Sequence, residues 1–207
     1  MKHLVCPALA AALLAPALAH ADSLEGNPND PGRITAVHKG VWEIDLGGLA
    51  VLTSDTENET SVTRLSTDFS AAVNYFIKDN ISVGGSVLAD YENTGGGVNA
   101  TTFGGALQAT VHLRLGLGAF FRPGLGVGAL FGSRETPAGA GMLESASQVG
   151  VVARVQLPIA YFASRRFLLQ AGPQFNLTAG SFTPTGGMAT SYTRVAGGFA
   201  VGVGYAF

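Results

Sequence analysis

The stretch that decides the fold is QVGVVARVQLPIAYF, residues 148–162. Val149, Val151, Ala153, Val155, Leu157, Ile159 and Tyr161 take every second position, with Gln148, Arg154 and Gln156 on the other phase. Side chains alternate between the two faces of a strand but advance by about 100° around a helix, so a period of two predicts a strand with one apolar and one polar face.

The same alternation runs outward in both directions, with the apolar residues even-numbered in the 41–53 window and odd-numbered in the others. Over 41–53, Trp42, Ile44, Leu46, Ala50 and Leu52 oppose Glu43, Asp45 and Thr53; over 63–77, Leu65, Phe69, Val73 and Ile77 oppose Arg64, Asp68 and Asn74. Over 81–92, Ile81, Val83, Val87 and Tyr91 oppose Ser82, Asp90 and Glu92; over 101–114, Phe103, Leu107, Val111 and Leu113 oppose Gln108, His112 and Arg114. Over 118–131, Phe121, Leu125, Val127 and Phe131 oppose Arg122 and the glycines 124, 126 and 128; over 167–179, Phe167, Leu169, Phe175 and Leu177 oppose Gln170, Gln174 and Asn176. The last window, 192–207, sets Val195, Phe199, Val201, Val203, Tyr205 and Phe207 against Arg194.

In these windows every charged side chain falls on the polar phase. A basic side chain on a lipid-facing strand position costs about 2–4 kcal/mol at mid-bilayer, so a lipid face excludes charge and a lumen face tolerates it. A soluble sandwich or lipocalin-like barrel also alternates, but its polar face looks outward and its apolar face fills the core. Here the polar phase carries Gly and Ser beside the charges, which suits a narrow polar lumen. The expected fold is therefore all-β: a transmembrane antiparallel up-and-down barrel of about eight strands.

Composition agrees. Only 13% of residues are charged and 47% are hydrophobic, with 29 glycines, whereas a soluble domain carries about 25% charged residues. The surface must be largely uncharged, yet no segment beyond the first residues is apolar for the roughly 20 positions that a helical span needs. The N-terminus has Lys2 and His3, an apolar run Leu4–Ala19 and small residues at Ala19 and Ala21, the three parts of a secretory signal. We expect residues 1–21 to be that signal, with cleavage after Ala21 or alternatively Ala19, residues 22–38 to be a periplasmic lead-in, and residues 39–207 to be the barrel. Cys6, the one cysteine, goes with the signal, so no disulfide, Cys nucleophile or Cys metal site is expected. The remaining chain has 12 Lys+Arg less Lys2 against 14 Asp+Glu, a formal −3, which does not suggest nucleic-acid binding.

Tight connections near 78–80, 115–117 and 164–166 alternate with longer polar ones at 54–61, 93–100, 132–146 and 183–191, the pattern of short periplasmic turns and long outer loops. Aromatics then fall into two girdles. Trp42, Tyr75, Phe76, Phe120, Phe121, Tyr161, Phe162, Phe167, Tyr205 and Phe207 belong to the periplasmic one. Tyr91, Phe103, Phe131, Phe182 and Tyr192 belong to the outer one.

The closing run Phe199, Val201, Val203, Tyr205, Phe207, the strand from Arg122 to Ala129, and the hairpin from Leu157–Tyr161 to Ala171–Phe175 resemble the OmpA/OmpX-type outer-membrane β-barrel domain superfamily over about residues 39–207. The resemblance implies eight strands and location in the cell outer membrane. Its expected partners are outer-membrane lipids, lipopolysaccharide and, during biogenesis, the barrel-assembly machinery, which would read the terminal run as its signal. That superfamily includes structural anchors, adhesins, virulence factors and small-solute channels, so function has to be argued from the site.

An eight-stranded barrel is just wide enough for side chains to fill. Glu43, Asp45, Asp68, Asp90 and Glu92 therefore have to pair with Arg64, Arg114, Arg122, Arg154 and Arg194 in a lumen-closing network, layered with Arg64, Asp68 and Asp90 toward the outer half and Arg114 and Arg122 toward the periplasmic half. The leading expectation is a structural or surface-interaction barrel acting through its outer loops. A narrow channel for small or apolar solutes is the alternative, which the lumen glycines 124, 126, 128, 198, 202 and 204 favour if they leave space rather than relieve crowding. The acidic run Asp55, Glu57, Glu59 is either a cation site or a solvated loop. His38 and His112 are badly placed for catalysis at the outer rim, so no enzyme, cofactor or metal is expected, and the external partner stays open.

Overall fold

The computed structural model describes residues 37–57, 60–93, 99–116, 118–137 and 143–207, with side chains described outside 49–57 and 60–65 among others. The expected signal, 1–21, and most of the lead-in lie outside the described residues. The strands are β1 (Trp42–Glu57), β2 (Thr60–Lys78), β3 (Ile81–Asn93), β4 (Asn99–Val111), β5 (Leu113–Gly116), β6 (Ala119–Phe121), β7 (Gly124–Pro137), β8 (Leu143–Gln156), β9 (Ile159–Phe162), β10 (Phe167–Pro184) and β11 (Thr190–Ala206).

Eight of them, in the order β1-β2-β3-β4-β7-β8-β10-β11, form one antiparallel sheet, and β11 pairs back onto β1 from Glu43↔Ala206 to Thr53↔Ala196. Closure leaves this ring without an edge strand. The three short strands are continuations of long ones beyond a break: β4 into β5 at His112, β6 into β7 at Arg122–Pro123, and β8 into β9 at Leu157–Pro158. Proline has no N–H to give to a ladder. The breaks lie side by side, joined by Val111 N–H to the Pro123 carbonyl at 3.0 Å, Arg122 N–H to Pro158 at 2.8 Å and Leu157 N–H to Pro173 at 3.0 Å. Below that seam, β5, β6, β9 and the start of β10 carry their own ladder.

The alternation decides what faces where. In the opening stretch, Val149 and Val151 are 59% and 60% exposed on the exterior, while Arg154 between them and Tyr161 is 5% exposed inside. The exterior is a continuous apolar belt that includes Leu107, Leu125 and Val127. In a water-soluble barrel this arrangement would be inside out.

Two expectations need correction. The segments 54–61 and 132–146 are mostly strand: β1 runs to Glu57 and β2 starts at Thr60, while β7 runs to Pro137 and β8 starts at Leu143. Interstrand hydrogen bonds do not need an apolar side chain, so these hairpins continue past the belt in polar residues that read as loop. The girdle assignment also fails for Phe76, Phe120, Tyr161 and Phe162, all buried. Tyr192 points inward too, its hydroxyl accepting from Gln148 Nε2 at 2.7 Å, and it stacks beside Phe182 at 6.4 Å. Trp42, Phe167, Tyr205 and Phe207 are exposed at the end with the tight turns, and Tyr91, Phe103 and Phe131 are exposed nearer the other end.

Candidate functional site: the barrel lumen

Three layers of ion pairs cross the lumen. Nearest the tight turns, Glu43 and Asp45 are two residues apart on β1 and so share its inner face. Arg122, at the break between β6 and β7, reaches both, with Nη2 at 2.5 Å from Glu43 Oε1 and 3.3 Å from Asp45 Oδ2. Its Nη1 donates to Gln170 Oε1 at 2.8 Å. Asn74 Nδ2 donates to Asp45 at 2.8 Å and Gln108 Nε2 donates to Asn74 at 2.7 Å, tying β1, β2 and β4 together. Glu43 is wholly buried and Arg122 nearly so. Arginine suits this position because its planar fork serves several acceptors at once.

In the middle layer, Arg154 of β8 meets Asp68 of β2 at 2.8 Å. Arg154 Nε donates to Asn176 Oδ1 at 3.2 Å, and Asn176 Nδ2 donates to the same Asp68 oxygen at 3.3 Å. In the third layer, Arg194 of β11 lies 2.8 Å from Glu92 and 3.6 Å from Asp90, both on β3, and donates to Ser66 at 3.2 Å. Asp68 and Asp90 are direct cross-strand neighbours. Like charges placed so repel, and each has its own arginine from the far wall.

Of the ten residues expected in the network, these eight converge. The Arg64 side chain lies outside the described residues. Arg114 is a correction: it is exposed on β5, which projects below the seam and, among the described strands, pairs with β6. The terminal residues Phe199, Val201, Val203, Tyr205 and Phe207 all face outward, between 39% and 56% exposed.

Below the Arg122 layer lies a feature that reading the sequence for girdles missed. Phe76, Phe120, Phe162, Leu168, Ala160, Ala206 and Val37 form one buried apolar cluster, with Phe120 and Phe162 edge-to-face at 5.5 Å and the buried His112 ring 4.9 Å from Phe76. The signal was present: 76, 120, 162 and 168 all fall on the lumen phase.

Between the first two layers lies a chamber of about 50 Å³, lined among others by Asp45, Ser70, Gln108, Arg122, Gln156 and Gln170. A smaller one of about 30 Å³ lies between the Asp68–Arg154 pair and Arg194. Gly128, Gly202 and Gly204 do not add to this space, whereas Gly126 would meet only ordinary contacts, at 3.4 Å or more. A Cβ at Gly202 would lie 2.8 Å from the Leu46 carbonyl oxygen, and one at Gly128 would overlap Gly105 and Ala106. Their role is close approach of strands. Among the described residues no three His, Asp or Glu side chains converge as metal ligands.

The closed ring, outward apolar belt and charged lumen define the fold class of eight-stranded outer-membrane β-barrels. No family model matches the chain, and no curated protein does. Solved structures do match. Neisserial surface protein A superposes with a TM-score of 0.54 at 14% identity, covering 81% of this chain and 99% of its own. A major outer membrane protein from Thermus thermophilus also gives 0.54, at 11% identity, covering 82% and 100%.

Proposed function

We propose that the chain is an outer-membrane barrel with a sealed lumen, whose role is structural or exercised through the surface of its outer hairpins. The observation that carries this reading is the set of three ion-pair layers spanning the lumen from wall to wall. Opening the first or the second layer would leave buried charges without partners, at several kcal/mol each. On this reading, residues 1–21 direct export, the tight turns and both chain ends face the periplasm, lipid and lipopolysaccharide meet the apolar belt, and the run ending at Phe207 is what the assembly machinery reads. No catalytic step is assigned to it.

Planar-bilayer recording tests the seal. The refolded protein should show no steady open level, and large porin-like conductance would overturn the reading. A narrow path for small solutes is the second reading, favoured by the two chambers, and brief small-amplitude openings would support it. Placement in lipid has a separate test. Leu107, 73% exposed on the exterior, changed to Arg should cost about 2–4 kcal/mol in urea titrations of the barrel in bilayers; an unchanged midpoint would mean that this face does not meet acyl chains.

A further inference from the structure

The two ends of the barrel differ in charge. Lys39, Lys78, Arg114, Arg165 and Arg166 are all exposed at the turn end. They come from the chain before β1, the β2–β3 turn, β5 and the β9–β10 turn, so they are spread around the ring. Lys39 is held to the β2–β3 turn that carries Lys78: the chain reverses at Gly40, whose φ of 93° is one that side-chain-bearing residues rarely adopt. Gly40 N–H then donates to the Phe76 carbonyl at 2.9 Å and Asn80 N–H to the Val37 carbonyl at 2.8 Å. Asp79 is the one exposed acid at this end among the described residues. Its Oδ1 already accepts from the Lys39 N–H at 2.9 Å, with His38 Nδ1 at 3.5 Å. The stretches 54–61 and 132–146, toward the other end, carry Asp55, Glu57, Glu59, Glu135 and Glu144 against Arg134.

Above these cations the exterior is apolar, and it is not smooth. A groove of about 810 Å³ is walled by Trp42, Tyr75, Leu107 and Leu125 and floored by Gly85, which sits between Val73 and Leu107 in the register. Trp42 and Tyr75 stand at its turn end, 4.8 Å apart, three residues from Lys39 and Lys78 respectively. We propose that the turn end is a cationic collar that gathers anionic phospholipid headgroups from the leaflet facing it, with an acyl chain of one such lipid in the groove beside Trp42. The proposal rests on the reading that the apolar belt lies in lipid. A lysine stem can lie along apolar surface while its ammonium reaches the headgroups, and an arginine fork offers two N–H groups to phosphate oxygens. Attraction to an anionic surface adds up over the basic residues close to it. A soluble polyanion would use the charges alone and leave the groove unfilled, whereas an anionic lipid fits both features.

The test uses Trp42, the sole tryptophan, whose fluorescence reports the lipid beside it. The protein is refolded into vesicles of phosphatidylcholine with a minor share of phosphatidylglycerol. One lipid or the other carries bromine on its chains, which quenches tryptophan on contact. The anionic lipid should be enriched about threefold beside Trp42 over its share of the bilayer. Lys78→Gln, Arg165→Gln and Arg166→Gln combined in one chain should abolish the enrichment. So should salt at about 1 M, where the screening length falls to about 3 Å, and this arm serves if the triple variant does not refold. Equal quenching by the two lipids in the unaltered protein, the result expected if the collar's partner is an acidic polymer or peptide, would overturn the proposal. Enrichment that survives both the salt and the triple change would overturn it too. No quenching by either lipid would refute the placement of the belt in lipid, and the proposal with it.

Discussion

Arg122→Ala is expected to destabilise the barrel by about 3–5 kcal/mol, because it strands two buried carboxylates instead of one. Glu43 is 0% exposed and Asp45 8%, so neither can recover its solvation without water entering the turn end. The measurement is the urea midpoint in bilayers, followed by the mobility shift between folded and heated protein. Adding Glu43→Gln and Asp45→Asn to Arg122→Ala should recover much of the loss, since a neutral hydrogen-bonding side chain carries no unpaired charge. No recovery would show that Arg122 acts by packing rather than by charge. Arg194→Ala should cost less, because its side chain and that of Asp90 are partly exposed and water can replace it.

The second large effect concerns the apolar floor. Phe162 is 0% exposed and packs edge-to-face on Phe120. Phe162→Ala is expected to cost about 3–5 kcal/mol, the usual range when a fully buried phenylalanine is truncated and its cavity cannot collapse. Phe167→Ala, a few residues away but on the exterior, should cost much less. Similar losses for the two, read from the same urea titrations, would refute the floor as a packed unit.

The fold was legible because alternation holds within each window from Trp42 to Phe207, and because charge keeps to the polar phase of every window. The pairing partners of Arg122, Arg154 and Arg194 were not legible. Alternation says which side chains point inward, but the register and shear that bring Arg154 opposite Asp68 across the lumen are set by hydrogen-bond stagger around the whole ring. Arg114 misled for a local reason. Its phase is that of a lumen residue, but phase carries meaning only while the strand remains in the wall, and β5 leaves the wall at His112. Phe76, Phe120 and Phe162 were misplaced in the opposite way, by trusting residue type over phase: aromatic side chains near a turn suggest an interfacial belt, yet the even positions already put these rings inside. The docking of Val37 in the buried cluster was invisible, since nothing in Val37-His38-Lys39-Gly40 distinguishes a docked segment from a lead-in.

The seam of breaks through His112, Pro123 and Pro158, which ends against the unbroken β10 at Pro173, divides one side of the barrel into an upper and a lower panel. Bending at that line disturbs few ladder bonds, so strain applied at the turn end is taken up along the seam and the register of β7 and β8 above it is spared. Arg122 stands on the seam itself, so the guanidinium that binds Glu43 and Asp45 is also a rivet across the fold line. The lower panel can flex only as far as those contacts allow, which makes the buried charge of the first layer a limit on movement as well as a seal.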